Sequence, residues 1–485
     1  MILPAHKTKI VCTIGPASRS QAILERMILA GMNVARLNFA HGTLQEHKEN
    51  IRRIRSVASR LQRPCLVMAD LPGPKLRIGK LLEEPLWLGK GEEVILTVRD
   101  IMGTPDKIPV EYKKLPEIVT SGDLIFINDG FIQLQVEKVS GEEVFCRTIV
   151  GGPLLSHKGM SLPGIKIVAE AVSKTDLDFV AFALQQGVTT FGVSFVARAD
   201  DILKVKRYAQ ANGQSAYAVA KIERPEAIDN FDEILSAADA IMIARGDLGV
   251  QIPLQEVPAV QKKLIYKANL FGRPVITATQ MLVSMTENPR PTRAEVSDVA
   301  NAILDGTDAV MLSEETAIGR YPVESVEMIS QIAIVAERER KTIRALADLP
   351  AYFHAATESS HASLEDVVSL KAAESAASLN ARYILTKTKG RVSPGLISRF
   401  KSDCWILAHG GDEKTNNFLV LCYGVHPLSL DIATTGSEDQ VVRWLVEAGL
   451  VEKDESLIWV EDKLSDDRLE SLSLKFIKVL NNFYE

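Results

Sequence analysis

Short β-branched apolar runs alternate with longer amphipathic runs through most of the first 340 residues, and this alternation constrains the fold more than any other feature of the chain. Eight runs read as strands, over residues 8–14, 34–39, 65–71, 191–196, 216–223, 240–244, 274–279 and 309–313. Between most of them lie segments with apolar residues at spacings of three and four, over 45–61, 200–212, 225–236, 254–270 and 295–304, which read as helices. Parallel strands need crossovers of this length, so eight βα units predict a closed (β/α)8 TIM barrel.

The third strand is followed by something else. From about 75 to 164 the pattern shifts to short alternating runs such as Glu93-Val-Ile-Leu-Thr-Val and Asp123-Leu-Ile-Phe-Ile-Asn-Asp-Gly, which predict an inserted all-β domain. Leu71-Pro-Gly-Pro-Lys75 and Leu162-Pro-Gly bracket it as hinges. After a long helix ending near 347, the polar stretch 355–363 reads as a linker into a smaller α/β domain, with a helix over 367–381 and strands over 383–386, 404–408 and 457–460. The expected division is a catalytic barrel of 1–74 and 165–347, a β-barrel lid of 75–164 and a C-terminal α/β domain of 348–485, within the prior of about three domains for 485 residues.

Charge narrows the partners. The sum of 56 Lys+Arg and 62 Asp+Glu is -6, which argues against nucleic acid. The chain opens without a secretory apolar segment and has no run of 18 apolar residues, so no membrane span and a cytoplasmic location are expected. The five cysteines form no C-x-x-C pair, which argues against structural zinc and a disulfide framework.

Reactive groups of such a barrel sit where its strands end. Arg36 and Asn38 end the second strand, Asp70 the third, Ser194 the fourth, Lys221 and Glu223 the fifth; Arg245 and Asp247 follow the sixth, Thr279 ends the seventh, and Ser313 and Glu315 the eighth. One strand-end Asp or Thr alone reads as a helix cap. Seven strands together read as a site.

Lys221 and Glu223 share one face of a strand, so a cation and a carboxylate project together; a buried ion pair is the plain alternative. Asp247 supplies a second carboxylate, and two carboxylates with positions left for substrate and water suit Mg²⁺ or Mn²⁺. The turn at Gly246 exposes backbone N–H groups that could seat a carboxylate or phosphate, or it is a simple strand-to-helix turn. Arg36 and His41 beside Gly42 suit an anionic phosphate, and no G-x-x-x-x-G-K-[ST] cradle is present.

On these residues the chain resembles the pyruvate kinases over nearly all of 5–340. The motifs are Lys9-Ile-Val-Cys-Thr-Ile-Gly-Pro-Ala-Ser18, Gly31-Met-Asn-Val-Ala-Arg-Leu-Asn-Phe-Ala-His-Gly42, Lys221-Ile-Glu223, Ala244-Arg-Gly-Asp-Leu-Gly249, Ala278-Thr-Gln-Met-Leu282 and Pro289-Arg-Pro-Thr-Arg-Ala-Glu-Val-Ser-Asp-Val-Ala-Asn-Ala302. The resemblance implies phosphoryl transfer from phosphoenolpyruvate to ADP, giving ATP and an enolate that is protonated to pyruvate. It implies a divalent ion (Mg²⁺ or Mn²⁺) on Glu223 and Asp247, with Lys221 and Arg36 stabilising the transferring group. Thr279 would act near the enolate, with Ser313 and Glu315 close to the proton path. Gly246 and Asp247 would receive the substrate carboxylate beside Ser194. Arg36, His41, Arg77, Asp129 and Lys158 would line the nucleotide side, and a homotetramer is expected.

Departures from the family pattern carry expectations of their own. Many relatives bind K⁺ through Asn, Ser, Asp and Thr; here Asn38 and Asp70 remain, while the Ser and Thr positions are Ala40 and Leu71. A family Glu in the adjacent motif is Lys75, a K⁺ surrogate by tethered ammonium, so K⁺ is not expected to be required; a solvated hinge lysine is the alternative. The eighth-strand motif carries an extra carboxylate, Glu314. The C-terminal loop Thr386-Lys-Thr-Lys-Gly-Arg391 and the segment Ile458-Trp-Val-Glu-Asp-Lys463 depart from the family's effector pattern, so sugar-phosphate activation is not expected. Rival readings are a divalent-metal, enolate-forming barrel aldolase or lyase, which leaves Lys221 and the insertion unexplained, and a non-catalytic relative, which predicts a damaged metal or lysine position.

Overall fold

The computed structural model describes residues 3–74, 76–128, 130–165, 170–340, 348–358, 362–388, 393–428, 438–465 and 468–480. Lys75, Asp129, residues 389–391 of the basic loop and the expected helix end near 347 lie outside the described residues.

All eight expected barrel strands form: β1 (Lys9–Thr13), β2 (Val34–Asn38), β3 (Leu66–Asp70), β4 (Thr190–Val193), β5 (Tyr217–Ile222), β6 (Ala240–Ala244), β7 (Val275–Ala278) and β8 (Ala309–Leu312). They close in sequence order, every pair parallel, with β8 hydrogen-bonded back to β1. The period of two sorts each strand into an outward set that packs under the helices and an inward set that fills the barrel. Inward residues include Val11, Val34, Met68, Val219, Met242, Ile276 and Met311. Continuing that parity toward the strand ends gives Thr13, Arg36, Asp70, Lys221 and Ser313. The barrel is apolar at its floor and charged at its mouth because of where each sequence run turns polar.

The floor is closed by another part of the chain. Phe418, Val420 and Leu421 pack into the same inward cluster. The Phe418 ring stacks on Tyr217 at 4.3 Å, and the Tyr217 hydroxyl donates to Thr415 at 3.0 Å.

Between β3 and β4 the insertion forms a six-stranded sheet and a two-stranded one around its own core, which includes Ile78, Leu96, Ile125, Leu134 and Val144. Among the described residues the C-terminal α/β domain has five strands: β9 (Tyr383–Lys387), β10 (Trp405–His409), β11 (Val425–Pro427), β12 (Ser456–Ser465) and β13 (Arg468–Lys478). Their order is β11-β10-β9-β12-β13, parallel except for the β12–β13 hairpin.

Two expectations need correction. The polar stretch begun at 355 is not all linker, since a helix runs over Asp348–Glu358, with Leu349 and Phe353 buried one turn apart on one face. The helix expected over 225–236 is two, Pro225–Asp229 and Phe231–Ala237, broken at Asn230.

Candidate active site

Lys221 is the centre of the mouth. Its Nζ lies 2.9 Å from Glu223 Oε1, 3.4 Å from Asp70 Oδ1 and 2.6 Å from Ser194 Oγ. Arg36 grips Asp70 from the other side, Nε to Oδ2 at 2.7 Å with Nη2 also bonded to Oδ2, and its Nη1 donates to Thr13 Oγ1 at 2.9 Å. Ser194 donates to the Leu71 carbonyl at 2.8 Å. The Phe195 N–H donates to Glu223 Oε2 at 2.8 Å.

The ion pair raised as the plain alternative for Lys221 and Glu223 is present, but it is one edge of a larger network. Asp70 and Glu223 are both 1 % exposed and Lys221 8 %. Burying that many charges is costly unless each is met, which favours a functional use over a stabilising one. Burial alone would raise the Asp70 carboxyl, but Arg36 and Lys221 outweigh it and hold the group below the usual carboxylate range. Burial would likewise lower the Lys221 ammonium, while Asp70 and Glu223 keep it above its usual value. Glu223 is pushed up by burial, with Asp247 adding to the rise against the pull of Lys221.

Two carboxylates that repel across a shared space fit a divalent cation, and Mg²⁺ characteristically takes one or two protein carboxylates and completes its shell from substrate and water. Glu223 and Asp247 meet that description. No cluster of three or more His, Cys, Asp or Glu able to cage a metal occurs among the described residues.

Gly246 and Asp247 lie in the first turn of a helix, Arg245–Gln251, which runs directly out of β6. The Gly246 N–H donates to Thr279 Oγ1 at 2.7 Å. Thr279 and Gln280 follow β7 with φ of 69° and 53°. Such values in a β-branched residue mark a strained backbone, of the kind that clusters at functional sites. Arg245 does not face the mouth with the other strand-end residues; it turns beneath Thr279 to Asp298. The Glu315 carboxylate, 2 % exposed and raised by burial, accepts the N–H groups of Leu282 and Ser313 at 3.0 and 2.7 Å, so it ties the loops after β7 and β8 together. Glu314 is exposed in the first turn after β8.

His41 is exposed on the loop after β2, where His47 bonds its carbonyl at 2.9 Å. On the lid, Arg77 bridges Gly159 and donates to the His157 carbonyl at 2.9 Å, which sets it beside Lys158. A cavity of about 150 Å³ lies between lid and barrel, bordered by Met160, Ile165, Phe195, Arg224 and Asp247.

Three contributors escaped the sequence reading. Thr13 ends β1 with the inward parity of Val11 and was within reach of the same count. Phe195 acts through its backbone N–H and has no side-chain signal. Gly192 leaves room for Asp70, because a Cβ there would lie 2.7 Å from Asp70 Oδ1.

Comparison with known proteins gives one answer throughout. Residues 5–326 match the family described as "Pyruvate kinase, barrel domain" and residues 366–466 the one described as "Pyruvate kinase, alpha/beta domain". A pyruvate kinase of Thermococcus litoralis is 47 % identical over 463 residues, covering 96 % of each chain. One from Geobacillus stearothermophilus is 41 % identical over 451 residues, covering 92 % of this chain and 76 % of that one. A crystal structure of a pyruvate kinase from Cryptosporidium parvum superposes with a TM-score of 0.87 at 33 % identity, over 98 % of this chain and 96 % of the other. Barrel, lid, C-terminal domain and the charged mouth thus agree with sequence identity along the chain, which belongs to the pyruvate kinase family, phosphotransferases that convert phosphoenolpyruvate and ADP to pyruvate and ATP.

Proposed function

We propose that the barrel mouth performs this reaction with the following division of labour. Lys221 and Arg36 stabilise negative charge on the transferring phosphoryl group, and Lys221 also stabilises the enolate oxygen left behind. Glu223 and Asp247 hold Mg²⁺ or Mn²⁺, which when bound supplies Lewis-acid stabilisation to the phosphoryl oxygens. The backbone at Gly246 and Asp247 receives the substrate carboxylate, which takes over the Gly246 N–H from Thr279 Oγ1, with Ser194 holding Lys221 in place. Thr279 serves the protonation of the enolate through water, with Ser313 and Glu315 shaping that side. Arg36, His41, Arg77, Asp129 and Lys158 face the nucleotide, and lid closure excludes water from the phosphoryl donor. The domain bounds are 1–74 with 165–347, 75–164 and 348–485, the assembly is a homotetramer, and the enzyme works in the cytoplasm. No helix among the described residues is long and apolar enough to cross a membrane.

The observation that carries this reading is the ammonium of Lys221 buried among Asp70, Glu223 and Ser194 at the open end of the barrel. ATP formation from phosphoenolpyruvate and ADP, with Mg²⁺ varied, tests it. Activity that is absent at every Mg²⁺ and Mn²⁺ concentration would remove it.

We further propose that the reaction does not require K⁺. Asn38 Oδ1 already accepts the Ala40 N–H at 3.1 Å, Asp70 is taken by Arg36 and Lys221, and Leu71 is a buried apolar side chain. These contacts support a monovalent-cation position that lacks two of its four oxygen ligands, at Ala40 and Leu71, and whose other two already have partners.

A further inference from the structure

Arg245 stands in a motif at the charged mouth, yet no step of the reaction uses its charge. Its donors are all directed inward. Nε reaches the Ala278 carbonyl at 3.3 Å and Nη2 the Thr279 carbonyl at 2.8 Å. Nη1 reaches Asp298 Oδ1 at 2.7 Å and Gln261 Oε1 at 3.3 Å, while Asp298 Oδ2 lies 2.7 Å from Nη2. The side chain is 11 % exposed and its charge is met by Asp298, so it is not a substrate contact.

What the fork grips is the strained turn. Thr279 and Gln280 are consecutive residues with positive φ, and neither is glycine. A β-branched residue takes that conformation only when its surroundings over-determine it. Two donors of one planar guanidinium on two successive carbonyls fix the two peptide planes that flank the Thr279 Cα, and so its φ and ψ, and a point ammonium cannot reproduce that grip. That Cα carries the Thr279 side chain, whose hydroxyl accepts from Gly246 N–H at 2.7 Å and donates to the Ala278 carbonyl at 2.6 Å.

We propose that Arg245 is a positioning residue for the proton-transfer half of the reaction, acting by holding Thr279 in its left-handed backbone conformation beside Gly246. This rests on the assignment of Thr279 to enolate protonation. In that step a proton from solvent reaches C3 by way of water ordered at the Thr279 hydroxyl. The C2–C3 π pair forms the new C3–H bond, and the enolate oxygen becomes the ketone of pyruvate. Run backwards, the step exchanges the methyl hydrogens of pyruvate with solvent, so it can be read without phosphoryl transfer.

The experiment follows loss of the pyruvate methyl signal by proton NMR in D₂O with Mg²⁺ and ATP, beside steady-state kinetics and thermal unfolding. Arg245→Lys keeps a positive charge for Asp298 and loses the fork. Exchange and kcat are expected to fall about tenfold or more, with the KM for phosphoenolpyruvate changed less than about threefold. In a Thr279→Val background, Arg245→Lys is expected to cost less than about a further twofold, because both act through one hydroxyl. Folded Arg245→Lys enzyme that exchanges within about twofold of the parent overturns the proposal, as does a loss that multiplies in full with that of Thr279→Val. If Arg245→Lys does not fold, Asp298→Asn loosens the same guanidinium, with an expected loss of about threefold or more and the same overturning result. Full exchange in Thr279→Val alone shows instead that the Thr279 assignment has failed.

Discussion

Lys221 Nζ stands 3.4 Å from Asp70 Oδ1 and reaches it across the barrel mouth from two strands away. The ammonium is thereby held between a carboxylate that Arg36 also grips and one, Glu223, that borders the proposed metal position. Replacing Lys221 by Met keeps the volume and removes the charge. Phosphoryl transfer is expected to fall by a factor on the order of 10²–10³ or more, as for loss of a preorganised electrostatic group. The variant is expected to fold, with a lowered thermal midpoint because Glu223 loses its paired cation. Near-normal turnover in that variant would sink the mechanism.

Gly192 matters for the room it leaves. Its added Cβ would meet Asp70 Oδ1 at 2.7 Å, closer than real Cβ contacts allow, and Asp70 has Arg36 and Lys221 bonded to it. Gly192 has no positive φ, so Gly192→Ala adds contact without backbone strain. The carboxylate must move, and displacing two cations by a fraction of an ångström is expected to lower kcat by about tenfold or more. Unchanged kcat in the alanine variant would mean that the Asp70 bridge is not needed in its present geometry.

Much of this site is legible in sequence because two rules coincide in a barrel. Parity decides which side chains face inward, and the run from apolar to polar along Val34, Arg36 and Asn38, or Val219, Lys221 and Glu223, marks which end is the mouth. The rules stop where the strand stops. The direction of Arg245, the donor role of the Phe195 N–H and the positive φ at Thr279 all depend on the backbone path after the last strand residue. The plug of Phe418, Val420 and Leu421 depends on docking of a distant segment, which no local period reports. The helix Asp348–Glu358 was hidden for a different reason: its end, Thr357 and Glu358, runs straight into the polar 359–363, while only Leu349 and Phe353 mark the buried side.

His409 gives the fold a defined acid sensitivity. It ends β10, only 2 % exposed, with its ring against Trp459 at a centroid distance of 5.1 Å. Burial, helped by Lys387, pushes its pKa down from 6.5 to about 4. The unfolded chain therefore binds the proton first, and stability is full above about 6.5 and is lost as pH falls toward 4. At pH 5 the loss is on the order of 2 kcal/mol. His426 is displaced in the same direction, to about 3, so His409→Phe should remove part of the drop in thermal midpoint between pH 7 and pH 5. A variant whose midpoint falls as far as the parent's would show that this ring is already solvated in the native state.

The proposed independence of K⁺ is what would separate this chain from relatives with a complete set of oxygen ligands. Asn38 Oδ1 is engaged by the Ala40 N–H, and Leu71 offers no side-chain oxygen. Lys75, outside the described residues, stands in sequence where the family pattern has Glu. A K⁺ and an ammonium 4 Å apart repel by on the order of 4 kcal/mol at an effective dielectric of 20. Replacing K⁺ by tetramethylammonium at constant ionic strength is expected to change kcat by less than about twofold, well under the roughly 1.4 kcal/mol that a tenfold effect represents. Lys75→Met is expected to lose about tenfold or more in either salt, since K⁺ then meets no repulsion but still lacks the oxygens absent at Ala40 and Leu71. A tenfold activation of the parent by K⁺ would show that the cation is bound after all, and full activity of Lys75→Met in tetramethylammonium would reduce that lysine to a solvated hinge residue.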